Sequence, residues 1–361
     1  MYKMRIGKVQ EYIRKENLNG FIVSRLVNIR YLCGFTGTSG ELSGLLIIQS
    51  GGAHLLTDFR YKEQANEEVK GAKIIITKAD VITELEELKQ FHGKNLKYGY
   101  ESDYLTCREL QRIQSGLGDV LLLPTVGAIE LFSVIKDNTE ISLLQKAVDI
   151  SDMAFERILG YISPGLKESE IRAELEYQMI CLGSEAPAFE TIIASGYRSA
   201  MPHGAASEKK LRRGDFLTLD FGASYKGYVS DITRTIVIGK ATLRQKRVYD
   251  IVLKAQVLAI KKVKAGIAGS LVDKAARDYI KKAGFGKNFG HGTGHGIGIY
   301  IHSKPGVGPR SQDILAKGMV ITVEPGIYIP EWGGVRIEDD VVVTTTGCRI
   351  MNKAPKNLLE V

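Results

Sequence analysis

The sequence predicts an α+β protein of two domains, a small α/β unit followed by a larger antiparallel sheet with helices packed outside it. Three observations carry that reading. Over residues 1–128, short apolar runs of strand length alternate with helical stretches. Over 129–139 the pattern breaks and ends in the polar run Lys136-Asp137-Asn138-Thr139, which reads as a linker. From Pro187 onward strands and glycine-rich turns follow one another, interrupted by helices near 242–264 and 270–283. A chain of 361 residues is long for one ordinary domain and fits two, here 1–128 and 140–361.

Taken in order, residues 4–18 space Ile6, Val9 and Ile13 as one helix face, and Gly20 follows. The runs Phe21-Ile22-Val23, Leu45-Leu46-Ile47-Ile48, His54-Leu55-Leu56 and Lys73-Ile74-Ile75-Ile76 read as strands, with helical stretches near 59–68, 81–91 and 106–115. Gly51-Gly52 between two of the strands signals a hairpin. Thr139 ahead of Glu140 predicts the cap of a long helix carrying Ile141, Leu144, Val148, Ile150, Met153 and Ile158. Ser163-Pro164-Gly165 stops that helix, and a second runs from about Glu168 to Cys181.

Composition excludes several classes. With 44% apolar and 25% charged residues the chain is that of a soluble globular protein with ample core. Its four cysteines are far apart and form no CxxC, which argues against a disulfide scaffold or a thiolate zinc site and suits a reducing cytoplasm. The N-terminus has no signal-peptide pattern, and no segment approaches the roughly 18 uninterrupted apolar residues of a membrane span. The net charge of +8 raises nucleic acid as a partner. Its densest cluster, Lys209-Lys210-Leu211-Arg212-Arg213, sits in a turn before a strand, and no interleaved aromatics offer stacking platforms, so that partner is set aside.

The chemistry concentrates in two stretches of similar grammar. Leu217-Thr218-Leu219-Asp220-Phe221-Gly222 is followed by Gly227-Tyr228-Val229-Ser230-Asp231. Val320-Ile321-Thr322-Val323-Glu324-Pro325-Gly326 is followed by Gly334-Val335-Arg336-Ile337-Glu338-Asp339-Asp340. Each runs apolar strand, carboxylate, glycine turn, strand, carboxylate, as two hairpins facing across a pseudo-twofold would. Strand alternation puts Asp220 with Thr218, Asp231 with Thr233, and Glu338 with Arg336 and Asp340. Carboxylates inside apolar strands are costly unless something neutralises them, and a bound cation is the simplest candidate.

Of six histidines, His203, His291, His295 and His302 lie in the C-terminal half beside or near glycine or proline. The run Gly290-His291-Gly292-Thr293-Gly294-His295-Gly296 is too glycine-rich for the helical zinc-protease motif and has no GxGxxG frame. Small residues there would instead let backbone approach a metal or ligand closely.

The combination Asp220, Asp231, His295, Glu324 and Glu338, in that order and spacing, resembles the pita-bread metallopeptidases, which include methionine aminopeptidase, aminopeptidase P and prolidase. The likeness is strong over about 140–355. It extends more loosely to an N-terminal domain like that of aminopeptidase P and prolidase, a creatinase-like α/β domain.

The resemblance implies a centre of two divalent ions, best suited to Mn²⁺ given four carboxylates and one imidazole, with Co²⁺ or Zn²⁺ as alternatives. Asp220, Asp231, His295, Glu324 and Glu338 would be the metal ligands. Such a pair activates a bridging water as the attacking hydroxide, with Glu324 as general base. His203 and His302 would contact substrate and stabilise the tetrahedral intermediate, His291 would line the pocket, and Arg336 would hold a metal-binding Asp.

The implied substrates are peptides with proline at the second position, and a homodimer is implied as well. Leu32-Cys33-Gly34-Phe35-Thr36-Gly37 and Leu56-Thr57-Asp58-Phe59-Arg60-Tyr61 resemble aminopeptidase P more than prolidase, so cleavage of longer Xaa-Pro peptides is expected, with the Xaa-Pro dipeptidase as the alternative. A metal-free binding module or a creatinase-like hydrolase would lack several of these acids, and all are present. Ser303 after His302, and Tyr300, stand where relatives carry acids; neither is a ligand position, and the change bears on substrate preference.

Overall fold

A computed structural model describes residues 1–38 and 42–361, which divide into two compact units, Met1–Ser133 and Val134–Val361. Of the stretch expected as a linker, Glu130–Ser133 forms a short helix that ends the first unit, and Asn138 opens the long helix of the second.

The first unit contains α1 (Tyr2–Lys15), β1 (Gly20–Val23), α2 (Leu26–Cys33), β2 (Leu45–Gln49), β3 (Gly52–Asp58), α3 (Lys62–Glu68), β4 (Lys73–Thr77), β5 (Lys97–Glu101), α4 (Cys107–Leu117), β6 (Leu121–Thr125) and α5 (Glu130–Ser133). The strands form one mixed sheet in the order β4-β3-β2-β1-β5-β6. The β2–β3 hairpin closes with Gln49 opposite Gly52, where the diglycine predicted it.

The stretch 81–91 is not a continuous helix but two 3₁₀ turns, Thr83–Glu86 and Lys89–Phe91. Val81, Ile82, Leu85 and Phe91 are all buried in the core of this unit, with Leu88 packed against it, so the apolar spacing that reads as a helix face marks buried positions here without a continuous helix.

The second unit begins with α6 (Asn138–Leu159) and α7 (Glu168–Cys181). The cap of α6 is Asp137 rather than Thr139: its carboxylate accepts from the Glu140 amide at 2.9 Å, and Glu140 accepts from the Asp137 amide at 3.0 Å. Then come β7 (Ile192–Ser195), β8 (Phe216–Phe221), β9 (Ser224–Tyr225), β10 (Tyr228–Val229), β11 (Ile232–Val237), α8 (Leu243–Lys262) and α9 (Gly269–Lys282). The unit ends with β12 (Gly294–Gly296), β13 (Ser303–Val307), β14 (Val320–Val323), β15 (Gly326–Ile329), β16 (Gly333–Arg336), β17 (Asp339–Val343) and β18 (Cys348–Ile350).

Two antiparallel sheets, β11-β8-β7 and β13-β12-β14-β17-β18, carry this unit. Each is backed by a helix pair. Leu217, Leu219 and Phe221 of β8 pack with Ile150, Phe155 and Ile158 of α6 and with Leu175 of α7. Ile321, Val323, Val341 and Val343 pack with Val248 and Val252 of α8 and Val272 and Ile280 of α9. The opposite face of each strand is therefore left for polar side chains.

Both predicted second strands break in the middle. β10 ends at Val229 and β11 starts at Ile232; β16 ends at Arg336 and β17 starts at Asp339. Asp231 and Glu338 occupy those two breaks. The ladders differ in one respect. Thr233, two residues past Asp231, pairs with Asp220, whereas Asp340, two past Glu338, pairs with Thr322, leaving Glu324 two residues farther on. An even offset keeps side chains on the same face.

Candidate active site

Asp231 and Glu338 sit where a strand of one half meets the other. At its break, Asp231 donates its amide to Asp340 Oδ2 at 3.0 Å. Glu338 donates its amide to the Thr233 carbonyl at 3.1 Å, and Thr233 Oγ donates to Glu338 Oε2 at 2.6 Å. Thr233 and Asp340 stand two residues past Asp231 and Glu338, so each half fixes the backbone at the other's break by equivalent positions, and Thr233 also holds the Glu338 carboxylate.

The glycine-rich segment supplies the imidazole. Gly294 and Gly296 pass so close to neighbouring backbone that a Cβ would collide with the Thr322 and Lys304 carbonyl oxygens. Asp273 of α9 pins this segment, accepting from Thr293 N and Oγ, while Arg277 binds Asp273 and the carbonyls of Phe289 and His291. His295 receives further support through its amide, which donates to Thr322 Oγ at 3.1 Å; that hydroxyl lies 3.3 Å from Glu324 Oε1.

The result is a cavity of about 820 Å³ into which Asp220, Asp231, His295, Glu324 and Glu338 all face, with His203, His291, His302 and Arg336 also in its wall. Ligand atoms of Asp231, His295 and Glu338 lie within 4.8 Å of one another. His295 Nε2 is 3.7 Å from Asp231 Oδ2 and 3.4 Å from Glu324 Oε1. The His295 and His302 rings stack with centroids 4.3 Å apart. His203 and His302 are exposed, whereas His291 is half-buried.

Asp220 is tied down by Arg336, whose Nη2 donates to Oδ2 at 2.5 Å. Arg336 Nε donates to Thr233 Oγ at 2.9 Å and Nη1 to the Tyr328 hydroxyl at 2.8 Å. Tyr328 in turn contacts His291 Nε2 at 2.8 Å, and His291 Nδ1 donates to the Gly292 carbonyl at 2.7 Å. The sequence gives Tyr328 no role, and it places Thr233 and Asp340 on the faces of Asp231 and Glu338, and Thr322 in the stretch before Glu324, without assigning them one. Tyr328 and Asp340 fall inside the two chemical stretches or between them, but a tyrosine after Pro-Gly and a second acid after Glu338 have no signature of their own.

The electrostatics ask for a cation. Burial pushes Asp231 and Glu338 well above the usual carboxylate range, and their mutual repulsion with Asp220 and Glu324 adds to it. Burial raises Glu324 to about 7 although Arg336 pulls the other way. Burial lowers His295 to about 4, helped by His302, so its ring is neutral at pH 7. Nδ1 lies 3.2 Å from the Gly296 carbonyl, a contact that suits the tautomer protonated on Nδ1, and that tautomer turns the Nε2 lone pair toward two carboxylates. Glu338 Oε1 is buried with no hydrogen-bond partner among the described residues. Lone pair against carboxylate, and an orphaned buried oxygen, are repulsive until a positive ion stands among them. These residues fit a divalent metal.

Comparison with known proteins agrees. The family model "Metallopeptidase family M24" matches residues 142–345, and "Creatinase/Prolidase N-terminal domain" matches 5–132. The chain is 37% identical to the Xaa-Pro dipeptidase of Pyrococcus furiosus over 362 residues, covering 99% of this chain and 100% of that one. A solved structure titled Xaa-Pro dipeptidase from Bacillus anthracis superposes with TM-score 0.93 at 42% identity over the whole of both chains. An X-Pro aminopeptidase from Thermotoga maritima superposes at 0.89 with 35% identity, covering 99% of each. With both family models together spanning nearly all of the sequence, and the acid-lined cavity lying within the part the first one matches, this chain belongs to metallopeptidase family M24 and carries a creatinase/prolidase N-terminal domain.

Proposed function

We propose that the chain is a metal-dependent exopeptidase that hydrolyses Xaa-Pro dipeptides. The observation that carries this reading is the convergence of Asp231, His295 and Glu338 on one point, with a neutral imidazole lone pair and an unpaired carboxylate oxygen aimed at it. Asp220, Asp231, His295, Glu324 and Glu338 would hold two divalent ions, and a donor set so rich in oxygen favours Mn²⁺. When bound, such ions supply the positive charge that makes water nucleophilic and polarises a scissile carbonyl.

The chain's own residues do the rest. Glu324 takes the proton of the attacking water and returns it to the departing proline nitrogen. His203 and His302, exposed in the cavity wall, donate to the peptide and to the oxyanion as charge develops. His291, its ring set by Tyr328 and Gly292, lines the pocket, and Arg336 keeps Asp220 aimed inward.

The dipeptidase reading displaces aminopeptidase P as the first choice. Relatives carrying the dipeptidase name include those of both Pyrococcus furiosus and Pyrococcus horikoshii, at 37% identity. The N-terminal segments that favoured aminopeptidase P have ordinary packing roles. Leu32, Cys33, Phe35 and Leu56 are fully buried, and Asp58 caps a 3₁₀ turn by accepting from the Arg60 amide at 2.8 Å. Such positions report the core of the first unit and not the length of a substrate.

The test is an assay of chelator-stripped protein reloaded with Mn²⁺, on Ala-Pro, Ala-Pro-Ala and Ala-Ala. Hydrolysis of Ala-Pro with kcat/KM about tenfold or more above the tripeptide is expected, with none for Ala-Ala. Preference for the tripeptide would restore the aminopeptidase reading, and no cleavage of either proline peptide would remove both.

A further inference from the structure

Directly behind the acid cluster lies a second, fully polar construction. Arg234 of β11 is 1% exposed and is the largest fully buried side chain among the described residues. A guanidinium has five N–H donors, and here each finds an acceptor. Nε donates to the Pro355 carbonyl at 3.1 Å. Nη1 donates to the Thr233 carbonyl at 3.0 Å and to the Glu338 carbonyl. Nη2 donates to Asp339 Oδ1 at 2.8 Å and to the Ala354 carbonyl at 2.9 Å.

The other oxygen of Asp339 accepts from Gln256 at 2.8 Å and from Lys356 Nζ at 2.6 Å. Residues 351–356 are stitched along their length. Met351 donates to the Asp340 carbonyl, Asn352 Oδ1 accepts from the Asp340 amide, and Lys353 and Ala354 donate to Asp152. The Lys356 carbonyl accepts from the Tyr249 hydroxyl at 3.0 Å.

Packing alone does not call for so many directed bonds at one place. Two of Arg234's bonds go to the carbonyls of Thr233 and Glu338, the two residues joined side chain to side chain on the cavity side. Asp340, held by the same segment, receives the amide of Asp231. Both carboxylates in the strand breaks are thus referenced to 351–356, one through Arg234 and one through Asp340.

We propose that Arg234 and the strap it grips, residues 351–356, are positioning elements of the metal centre: they set where Glu338 and Asp231 point. Neither touches substrate or ion. The inference rests on the reading of Glu338 and Asp231 as ligands. Residues that orient ligands from behind typically change metal affinity about 10- to 100-fold when altered.

The experiment is calorimetric titration of Mn²⁺ into folded, metal-stripped protein at 25 °C for wild type, Lys356→Met, Lys356→Arg, Arg234→Lys and the exposed control Asn357→Ala, each checked by circular dichroism. Lys356→Met and Arg234→Lys are expected to bind Mn²⁺ about tenfold more weakly. Lys356→Arg, which keeps the bond to Asp339, and Asn357→Ala should bind as wild type. Lys356→Met is partly exposed and decides the matter if Arg234→Lys does not fold. A folded Lys356→Met with wild-type affinity, even at a lower melting temperature, overturns the proposal by showing the strap to be structural only. Failure of the wild type to bind Mn²⁺ would instead overturn the ligand assignment, and this inference with it.

Discussion

At the scale of single residues, the centre depends on side chains that serve two neighbours at once. Tyr328 accepts from Arg336 and donates to His291, so its hydroxyl links the group that holds Asp220 to a histidine in the cavity wall. Tyr328→Phe leaves the ring but strands a buried guanidinium N–H. A loss of about 1–3 kcal/mol in unfolding free energy is expected, read by urea denaturation of the metal-free protein. Thr233 is similar, accepting from Arg336 and donating to Glu338. These partners were hidden in the sequence because threonine and tyrosine in a strand have many uses. The acids were readable because a carboxylate between valines and isoleucines has few.

At the scale of elements, the loop that carries His203 owes its shape to a residue on a helix. Glu168, at the start of α7, is completely buried. One of its oxygens accepts from Ser195 N and Oγ, and the other from Arg198 Nε and from Ser207 N and Oγ. Glu168→Gln would present an amide to donors that need an acceptor. Destabilisation of about 2–4 kcal/mol is expected, with faster proteolysis within 196–207 as the local signature.

Elements also differ in how plainly they could be read. The two helices over 138–159 and 168–181 and the hairpins of the second unit follow from periodicity and turns. The periodicity marks no element at α2, β5 or β6. Gly99 interrupts β5 because Phe21 packs where its Cβ would be, and Pro124 sits in β6, a sheet edge where a missing N–H costs nothing. The breaks at Asp231 and Glu338 were not legible either. A strand that changes partners looks, residue by residue, like one that continues.

At the scale of the whole molecule, stability should carry the mark of one buried lysine. Lys136 is 5% exposed, and burial lowers its pKa from 10.5 to about 8 despite nearby Glu140. Its ammonium donates to the Val134 carbonyl at 3.1 Å. Between about pH 8 and 10.5 the unfolded chain holds this proton more tightly than the folded one, so the contribution of Lys136 to stability rises with pH across that window. Below pH 8 its charge is a standing cost on the order of 3 kcal/mol. Lys136→Met should therefore be more stable than wild type at pH 7, with the gap closing as pH approaches 10. Urea denaturation of both proteins at pH 7, 9 and 10 checks the sign.

The two-residue difference between the ladders has an evolutionary reading. Inside a paired strand side chains alternate, so it is the evenness of the offset, and not its size, that keeps Asp220 and Glu324 facing the cavity. One residue added or lost within Phe216–Phe221 or Val320–Val323 would turn the neighbouring acid toward the helices, whereas the turns after these strands and the breaks at Asp231 and Glu338 absorb a change of either parity. Length variation should therefore concentrate in the turns and spare the paired strands, whichever ion or peptide the cavity receives.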